Sequence, residues 1–250
     1  MILAVDIGNT TVALGMLRSG ALHHCVRVPT MPDCTEKDYL PVMEKALGEE
    51  HIQWRGSVIS SVVPALTPVL AECVCHITGT QPLVVSHKIR LGITIGLDQP
   101  EKVGIDRLVD AAWAAEKYPL PLVTVDLGTA TTFNVVDSNR VFRGGIIAAG
   151  VTTGLQALDS RCAALDGVRA RTPAGVIGGN TADAMNSGAV LGAAAMIEGL
   201  TDRIQEELGQ PVTLVLTGGH SGLVSPLLRR AHILDTQLLM EGLYWLQSRN

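Results

Sequence analysis

The sequence predicts an α/β protein built from two related halves, and two observations support this. VDIGNT at 5–10 ends an apolar run, and VDLGTATT at 125–132 repeats its pattern, so that Asp126 lies 120 residues after Asp6. Elsewhere, β-rich apolar runs alternate with amphipathic helical patterns, which is the order typical of α/β domains. We therefore predict two α/β domains related by a pseudo-two-fold duplication.

The first half opens with a β-hairpin. MILAV at 1–5 and TTVALGML at 10–17 are β-rich runs on either side of the turn DIGN. The elements predicted after it are a surface helix at 35–47, a buried strand at 57–63, a strand at 82–86 and a helix at 104–118.

Local signals set the limits of these elements. Thr35 and Asp38 have the spacing of a capping box, and an apolar stripe at helical spacing follows them. The last helix of this half ends at the proline-containing segment YPLPL at 118–122. We therefore predict one domain at 1–117 and a second at 118–250.

The second half repeats the hairpin and then continues in the same alternating way. LVTV at 122–125 and TTFNVVD at 131–137 flank the turn DLGTA. A long helix is predicted from a cap at Asn180 or Thr181 to a stop at Gly209. The last predicted elements are a strand in PVTLVLTGGHS at 211–221 and a helix in DTQLLMEGLYWLQ at 235–247.

Composition and charge exclude several classes of function. The formal net charge of -5, with no basic stripe, argues against a nucleic-acid surface. The longest small-apolar segment, at 188–200, contains Glu198 and is too short to span a bilayer, and Asp6 comes too early for a signal peptide. The five cysteines are irregularly spaced and do not suggest a disulfide framework. We expect a soluble, cytoplasmic protein without nucleic-acid or membrane partners.

The duplicated turn has the chemistry of a nucleotide site. A carboxylate at a strand end, beside a glycine turn with a Thr hydroxyl, can orient a hydrated divalent cation while backbone amides hold phosphate oxygens. If the halves are symmetric, both turns would grip a polyphosphate across the groove between domains, and LTGGHS at 216–221 would approach the nucleoside. A single copy would be read as an ordinary hairpin turn. Two copies at one offset favour the nucleotide clamp, although no Walker or Rossmann motif is present.

These motifs resemble known nucleotide-binding motifs. DIGNT, DLGTATT and LTGGHS are similar to the two phosphate motifs and the adenosine motif of the superfamily that contains actin, the heat-shock ATPases and the sugar and acetate kinases. Within it, ISSVVP at 59–64, GIDR at 104–107, GGIIAAG at 144–150 and GNTADAMNSG at 179–188 resemble type III pantothenate kinase. The resemblance implies two ribonuclease H-like domains in an actin-like ATPase fold. It also implies ATP-dependent phosphorylation of pantothenate to 4'-phosphopantothenate, the first step of coenzyme A biosynthesis.

The resemblance also implies a role for each matching residue. Asp106 matches the proposed catalytic base, Asp126 the ligand of a monovalent cation (K+ or NH4+), and Asp6 a ligand of the divalent cation, Mg2+, that accompanies ATP. The ATP contacts implied are Asp6, Ile7, Gly8, Asn9, Thr10, Thr11 and Thr129. The pantothenate contacts implied are Leu97, Gly104, Ile105, Asp106, Arg107 and Thr181. The family is a homodimer with its acceptor pocket at the subunit interface.

The segment GIDR supports the same chemistry without the resemblance. Asp106 lies where a helix is predicted to begin, so the helix dipole would favour its carboxylate form and a low pKa. Arg107 adds a positive charge able to hold a substrate carboxylate such as that of pantothenate. The alternative is a helix-capping Asp beside a surface Arg.

Three positions depart from the family pattern, and all bear on the acceptor. Leu97 replaces a usual Tyr, Gly179 a usual Lys, and Ala149 a common Pro. Two other functions therefore stay open at this point. One is a catalytically degenerate paralogue that acts as a regulatory or binding protein, and the other is a kinase of the same superfamily with another small hydroxylated acceptor.

Overall fold

The computed structural model describes residues 1–48, 52–160 and 167–250, which form two compact units. The first unit comprises Met1–Ile93, Asp98–Glu116 and Gln237–Asn250, and the second comprises Thr94–Leu97 and Lys117–Thr236.

The first unit is a five-stranded mixed sheet with helices. Its strands are β1 (Ile2–Ile7), β2 (Thr11–Arg18), β3 (Ala21–Pro29), β4 (Gly56–Ser61) and β5 (Leu83–Val84), in the order β3-β2-β1-β4-β5. Strands β1 to β3 are antiparallel, whereas β4 runs parallel to β1 and β5 parallel to β4. Its helices are α1 (Glu36–Leu47), α2 (Thr67–Thr78), α3 (Ile105–Lys117) and, at the end of the chain, α8 (Leu238–Arg249).

The second unit contains a six-stranded mixed sheet. Its strands are β6 (Thr94–Ile95), β7 (Leu122–Leu127), β8 (Ala130–Val136), β9 (Val141–Ala149), β10 (Thr213–Thr217) and β11 (Ile233–Leu234), in the order β11-β10-β7-β8-β9-β6. Its helices are α4 (Val151–Asp159), α5 (Thr181–Asn186), α6 (Gly192–Leu208) and α7 (Ser221–Val224).

The two sheets confirm the predicted duplication. Strands β7, β8 and β9 form an antiparallel meander, and β10 and β11 follow in parallel, so their order repeats that of β1 to β5. Within the part of the chain that the structure describes, β6, paired with β9 at the edge, is the one strand without a counterpart in the first sheet. The duplication therefore covers the whole sheet as well as the hairpin.

Successive side chains of β1 point to opposite faces of the sheet, and the two faces have different surroundings. Leu3, Val5 and Ile7 are fully buried and belong to the core under α1 and α2. Ala4 and Asp6 lie on the other face, where Gly15, the register partner of Ala4, lies against Met240 of α8. Asp6 is thus the last residue of β1 on the face that α8 covers.

The units differ from the predicted domains of 1–117 and 118–250. Residues 94–97 belong to the second unit, and 237–250 return to the first. Residues 237–250 belong to the first unit because α8 packs against α3. Trp113 Nε1 donates to Glu241 Oε2 at 3.1 Å, and the Trp113 and Trp245 rings lie 5.6 Å apart. Amphipathicity predicts the closing helix correctly but does not reveal which sheet it covers.

The predicted long helix is present, but its winding changes. It begins at the cap Asn180, passes through a π-helical segment at Ser187–Leu191 between α5 and α6, and ends at Gly209 in the left-handed region. A capping box at Thr35 and Asp38 begins α1, as predicted. GGIIAAG forms the end of β9, and its last residue, Gly150, is the cap of α4.

Two further expectations concern cysteines and membranes. Cys25, Cys34, Cys73 and Cys75 are free thiols, and Cys162 lies outside the described residues. Burial raises the pKa of Cys73 to about 11, which agrees with an inert core thiol. Among the described residues, no helix has the length and apolar character needed to cross a membrane.

Candidate active site

The first phosphate loop, residues 6–11, is stabilised by a hydrogen bond within the loop and by another from Thr30, directly after β3. Gly8 N donates to Thr11 O at 3.0 Å, and Thr30 Oγ1 donates to Gly8 O at 2.7 Å. Asn9, Thr10 and Thr11 are exposed at its tip, where they can meet a ligand. Ile7 differs, because its side chain is fully buried in the core. Its predicted ATP contact therefore does not involve the side chain.

The second phosphate loop, residues 128–130, lies against the start of α4. Gly128 N donates to Ala130 O at 3.0 Å. Thr129 O accepts from Gly150 N at 3.2 Å and from Thr153 Oγ1 at 2.6 Å. The N-terminus of a helix, with its backbone N–H groups, favours phosphate binding. The second loop and this terminus therefore have the polarity that a nucleotide phosphate needs.

The loop 217–221, TGGHS, is hydrogen-bonded to the end of β7 and lies close to the start of α4. His220 N donates to Leu127 O at 3.0 Å, and His220 Nε2 lies 2.8 Å from Thr152 Oγ1 at the start of α4. Gly218 has a φ of +92°, and a Cβ on it would lie 2.1 Å from Asp126 Oδ1. Glycine is required there because the Asp126 carboxylate occupies the space of a side chain.

The same hydrogen bond recurs at the end of both central strands. Val62 N donates to Ile7 O at 3.0 Å in the first unit, as His220 N does to Leu127 O in the second. Asp6 pairs in register with Ser60 of β4, and Asp126 with Thr217 of β10. Each carboxylate thus has a hydroxyl residue beside it on the parallel neighbouring strand.

The segment Gly104–Arg107 lies beside Val62, which follows β4 and is hydrogen-bonded to Ile7 of the first loop. Leu108 N donates to Gly104 O at 3.3 Å as α3 begins, and Asp106 Oδ1 accepts from Arg107 N at 2.8 Å. A Cβ on Gly104 would lie 2.5 Å from Asp106 Oδ1 and 3.6 Å from Val62 Cγ1. Since Val62 in turn binds Ile7 O, the first unit brings its predicted base and its phosphate loop into one neighbourhood.

The expected low pKa of Asp106 is wrong. Burial raises the pKa of this carboxyl above its usual value, and the Arg107 N–H and guanidinium oppose that rise only in part. Burial also lowers the pKa of Arg107, although the Asp106 charge opposes this. The helix start was predicted correctly, but its favourable dipole is outweighed by desolvation.

Thr181 is exposed at the first position of α5 and is fixed by its neighbours. Asn180 caps the helix, with Oδ1 accepting from Asp183 N at 2.9 Å and Nδ2 donating to Asp183 Oδ2 at 2.7 Å. Arg171 forms an ion pair with the same Asp183. Sequence reasoning missed Arg171 and Asp183, although an acid three residues after an Asn cap is a recognisable signal.

Leu97 precedes GIDR by seven residues in the chain but belongs to the other unit. It follows β6 in the second unit, where its Cδ2 is 3.4 Å from the place a Cβ would take on Gly144. The predicted acceptor contacts are therefore divided, with Gly104–Arg107 in the first unit and Leu97 and Thr181 in the second.

The residues present fit a nucleotide with its cation. Among the described residues, no three His, Cys, Asp or Glu side chains form a metal site, but a phosphate-bound Mg2+ needs only one or two carboxylates. The buried side-chain atoms that lack a hydrogen-bond partner in the described chain include Ser60 Oγ, Thr131 Oγ1 and His220 Nδ1. All three belong to the neighbourhoods of the phosphate loops. Buried polar atoms without partners are rare in folded proteins, so each of these three is a candidate to bind a ligand or a water molecule.

Comparisons with known proteins agree with this geometry. A family model described as type III pantothenate kinase matches residues 2–203. A type III pantothenate kinase from Brevibacillus brevis is 36% identical over 253 residues, covering 100% of this chain and 99% of the relative. Another from Exiguobacterium sp. is 35% identical over 253 residues with the same coverage.

Solved structures agree on the fold. A protein described as a Baf family transcriptional activator from Campylobacter jejuni has a TM-score of 0.60 at 18% identity, covering 99% of this chain and 98% of that one. A ROK family glucokinase from Streptomyces griseus, in complex with glucose and AMPPNP, has a TM-score of 0.53 at 16% identity with the same coverage. The duplicated sheets are those of the actin-like ATPase and sugar kinase fold, and the chain belongs to the type III pantothenate kinase family.

Proposed function

We propose that this protein transfers the γ-phosphoryl group of ATP to the primary hydroxyl of pantothenate, the first step of coenzyme A biosynthesis. The observation that carries the proposal is the place of Asp106, a partly buried carboxylate at the start of α3, linked through Gly104 and Val62 to the first phosphate loop. Because ATP is the donor, we expect the protein to act in the cytoplasm.

Asp106 serves as the proton acceptor in this reaction. Its raised pKa makes the carboxylate more basic than an ordinary Asp, which suits removal of the hydroxyl proton. Phosphoryl transfer passes through a loose transition state that needs positioning and charge stabilisation more than a strong base. Arg107, next to Asp106, is the candidate to hold the pantothenate carboxylate.

The phosphate loops position the nucleotide. Backbone N–H groups of the α4 start are the candidates to hold phosphate oxygens, since Gly8 N and Gly128 N already donate within their own turns. Asp6 is the candidate ligand of the divalent cation. When bound, Mg2+ neutralises the charge that develops on the transferred group. TGGHS, which is hydrogen-bonded to the end of β7 through His220, is the candidate nucleoside contact.

ATP consumption with a panel of acceptors tests the proposal. We expect ADP formation that depends on pantothenate and is absent without it. Consumption with a different small hydroxylated acceptor alone would identify another kinase of the superfamily. ATP binding without turnover on any acceptor would instead indicate the regulatory paralogue.

Asp126 is proposed as the ligand of K+ or NH4+. We expect Asp126→Ala to abolish activation by either ion, because the carboxylate at the end of β7 supplies the charge that holds the cation. Activity would be measured against KCl or NH4Cl, with choline chloride at equal ionic strength. The exposed Asp33 offers a control, since Asp33→Ala removes the same charge elsewhere. Unchanged activation in Asp126→Ala would rule out this ligand.

Leu97 is proposed to border the acceptor. We expect Leu97→Tyr to lower the KM for pantothenate with little change in kcat. The decrease should correspond to a binding free energy on the order of 1 kcal/mol, that of one added hydrogen bond. Leu97→Phe adds the ring without the hydroxyl and should leave KM near the wild-type value. Equal effects of Tyr and Phe would mean that the hydroxyl makes no contact.

A homodimer is proposed in which each acceptor site uses both subunits. Subunits inactivated at Asp106 and subunits inactivated at Thr181 should then restore part of the activity when they are mixed, because a heterodimer contains one intact site. Native mass spectrometry would verify that heterodimers form. Heterodimers without any recovered activity would contradict a shared site.

A further inference from the structure

Ser60 is a buried hydroxyl residue that the mechanism above does not use. Its relative exposure is 0%, and Ser60 Oγ lacks a hydrogen-bond partner among the described residues. It lies in β4 directly beside Asp6 of β1, because the two residues are register partners in a parallel pair. Neighbouring strands are about 4.8 Å apart and their paired side chains share a face, so the hydroxyl and the carboxylate are within reach of a direct or single-water hydrogen bond.

The duplication repeats this arrangement. Thr217 of β10 is the register partner of Asp126, and it is also buried, at 4% exposure. The side chains differ, but the hydroxyl is kept beside both carboxylates. A buried hydroxyl that only filled space would have no reason to recur at this one position in both sheets.

The lone hydroxyl is unfavourable for folding. Burying a polar group without a hydrogen bond destabilises a protein, and alanine would fill most of the same space without that cost. The destabilising group lies beside the residue assigned to the divalent cation. This combination, a local stability cost at a binding residue, is expected where function requires the group.

We propose that Ser60 is a positioning residue, whose hydroxyl donates a hydrogen bond to the hydrated carboxylate of Asp6 when Mg2+ and ATP are bound. The proposal rests on the proposed function, since it assumes that Asp6 faces the cation. Ser60 fixes the carboxylate in the direction that the cation requires. Its effect is therefore specific to the part of nucleotide affinity that depends on Mg2+.

The experiment measures the Kd of AMPPNP by calorimetry with and without Mg2+, together with the thermal unfolding midpoint. The quantity compared is the Kd without Mg2+ divided by the Kd with Mg2+, which measures how much Mg2+ strengthens binding. In Ser60→Ala, we expect this Kd ratio to fall by about 10-fold, the scale of one hydrogen bond to a charged group. We expect the midpoint to rise by about 2 °C or more in the absence of nucleotide. A residue with only a structural role would lower the midpoint and leave the Kd ratio unchanged.

Two further variants are informative. Ser60→Thr keeps the hydroxyl, as Thr217 does, and should keep the wild-type ratio. Ser57 is buried at 2% exposure in the same strand, is the register partner of Leu3 and lies on the opposite face of the sheet from Ser60. Ser57→Ala should therefore also keep the wild-type Kd ratio.

The outcomes separate this proposal from the one on which it rests. A wild-type protein without Mg2+-dependent AMPPNP binding would overturn both. Mg2+-dependent binding in the wild type that is unchanged in Ser60→Ala would overturn only the role of Ser60. A lowered unfolding midpoint in Ser60→Ala would likewise assign the hydroxyl to the fold and overturn the positioning role.

Discussion

Replacement of Asp106 by Asn is expected to lower kcat by about 100-fold or more, the scale of a positioned acid or base. Asn keeps the size of the side chain and can still accept the hydrogen bond from Arg107 N, but it loses the charge and the proton acceptor. Steady-state kinetics with pantothenate would give kcat, and calorimetry the Kd of AMPPNP, which should be unchanged. Near-normal turnover would show that Asp106 is only a helix cap.

The pH profile of the wild type provides an independent check on Asp106. Because burial raises its pKa, activity should fall on the acid side at a pH above the ordinary range of an Asp. A carboxyl with a raised pKa also destabilises the folded state while ionised, and this penalty declines as the pH falls through the raised pKa and is gone below the ordinary pKa of an unfolded Asp. Asp106→Asn should therefore not lower stability at neutral pH, and the residual activity should lose the acidic limb.

Gly218→Ala is expected to cause the second large effect, on both stability and nucleotide binding. The residue has a φ of +92°, and the new Cβ would lie 2.1 Å from Asp126 Oδ1 and 2.5 Å from Leu127 N. The backbone atom cannot move aside without shifting β7, so we expect a loss of about 3 kcal/mol or more in the free energy of unfolding. Denaturant unfolding and AMPPNP binding would measure the two effects.

Gly219 supplies the matched control. No heavy atom lies within 4 Å of a Cβ built on it, and its φ is outside the left-handed region. Gly219→Ala should leave the free energy of unfolding near that of the wild type. Equal losses in the two variants would mean that the loop as a whole, and not the contact with Asp126, sets the requirement for glycine.

The parts of the fold that are local in sequence could be predicted. Both hairpins, the capping box at Thr35 and the end of the long helix at Gly209 follow from residues within one or two turns of each other. Parallel pairing is not local, because β1 meets β4 only after α1 has intervened. The neighbours of Asp6 and Asp126 on the parallel strands, Ser60 and Thr217, were therefore missed.

Features set by packing also escaped prediction. The sequence shows that α8 is amphipathic, but its place in the first unit depends on contacts with Trp113 of α3. The helix dipole at Asp106 is visible in the sequence, whereas the burial that raises its pKa is not. The π-helical segment at Ser187–Leu191 has the same apolar periodicity as the flanking helix and leaves no separate signal.

The site around Asp106 is proposed to phosphorylate pantothenate. The most direct measurement incubates the wild-type protein with MgATP and pantothenate and follows the phosphorus-containing products by NMR and mass spectrometry. We predict 4'-phosphopantothenate and ADP in equal amounts, and yields of both that are lower by about 100-fold or more from Asp106→Asn over the same interval. ADP formed with free phosphate in place of 4'-phosphopantothenate, or equal yields from wild type and Asp106→Asn, would contradict this role of the site.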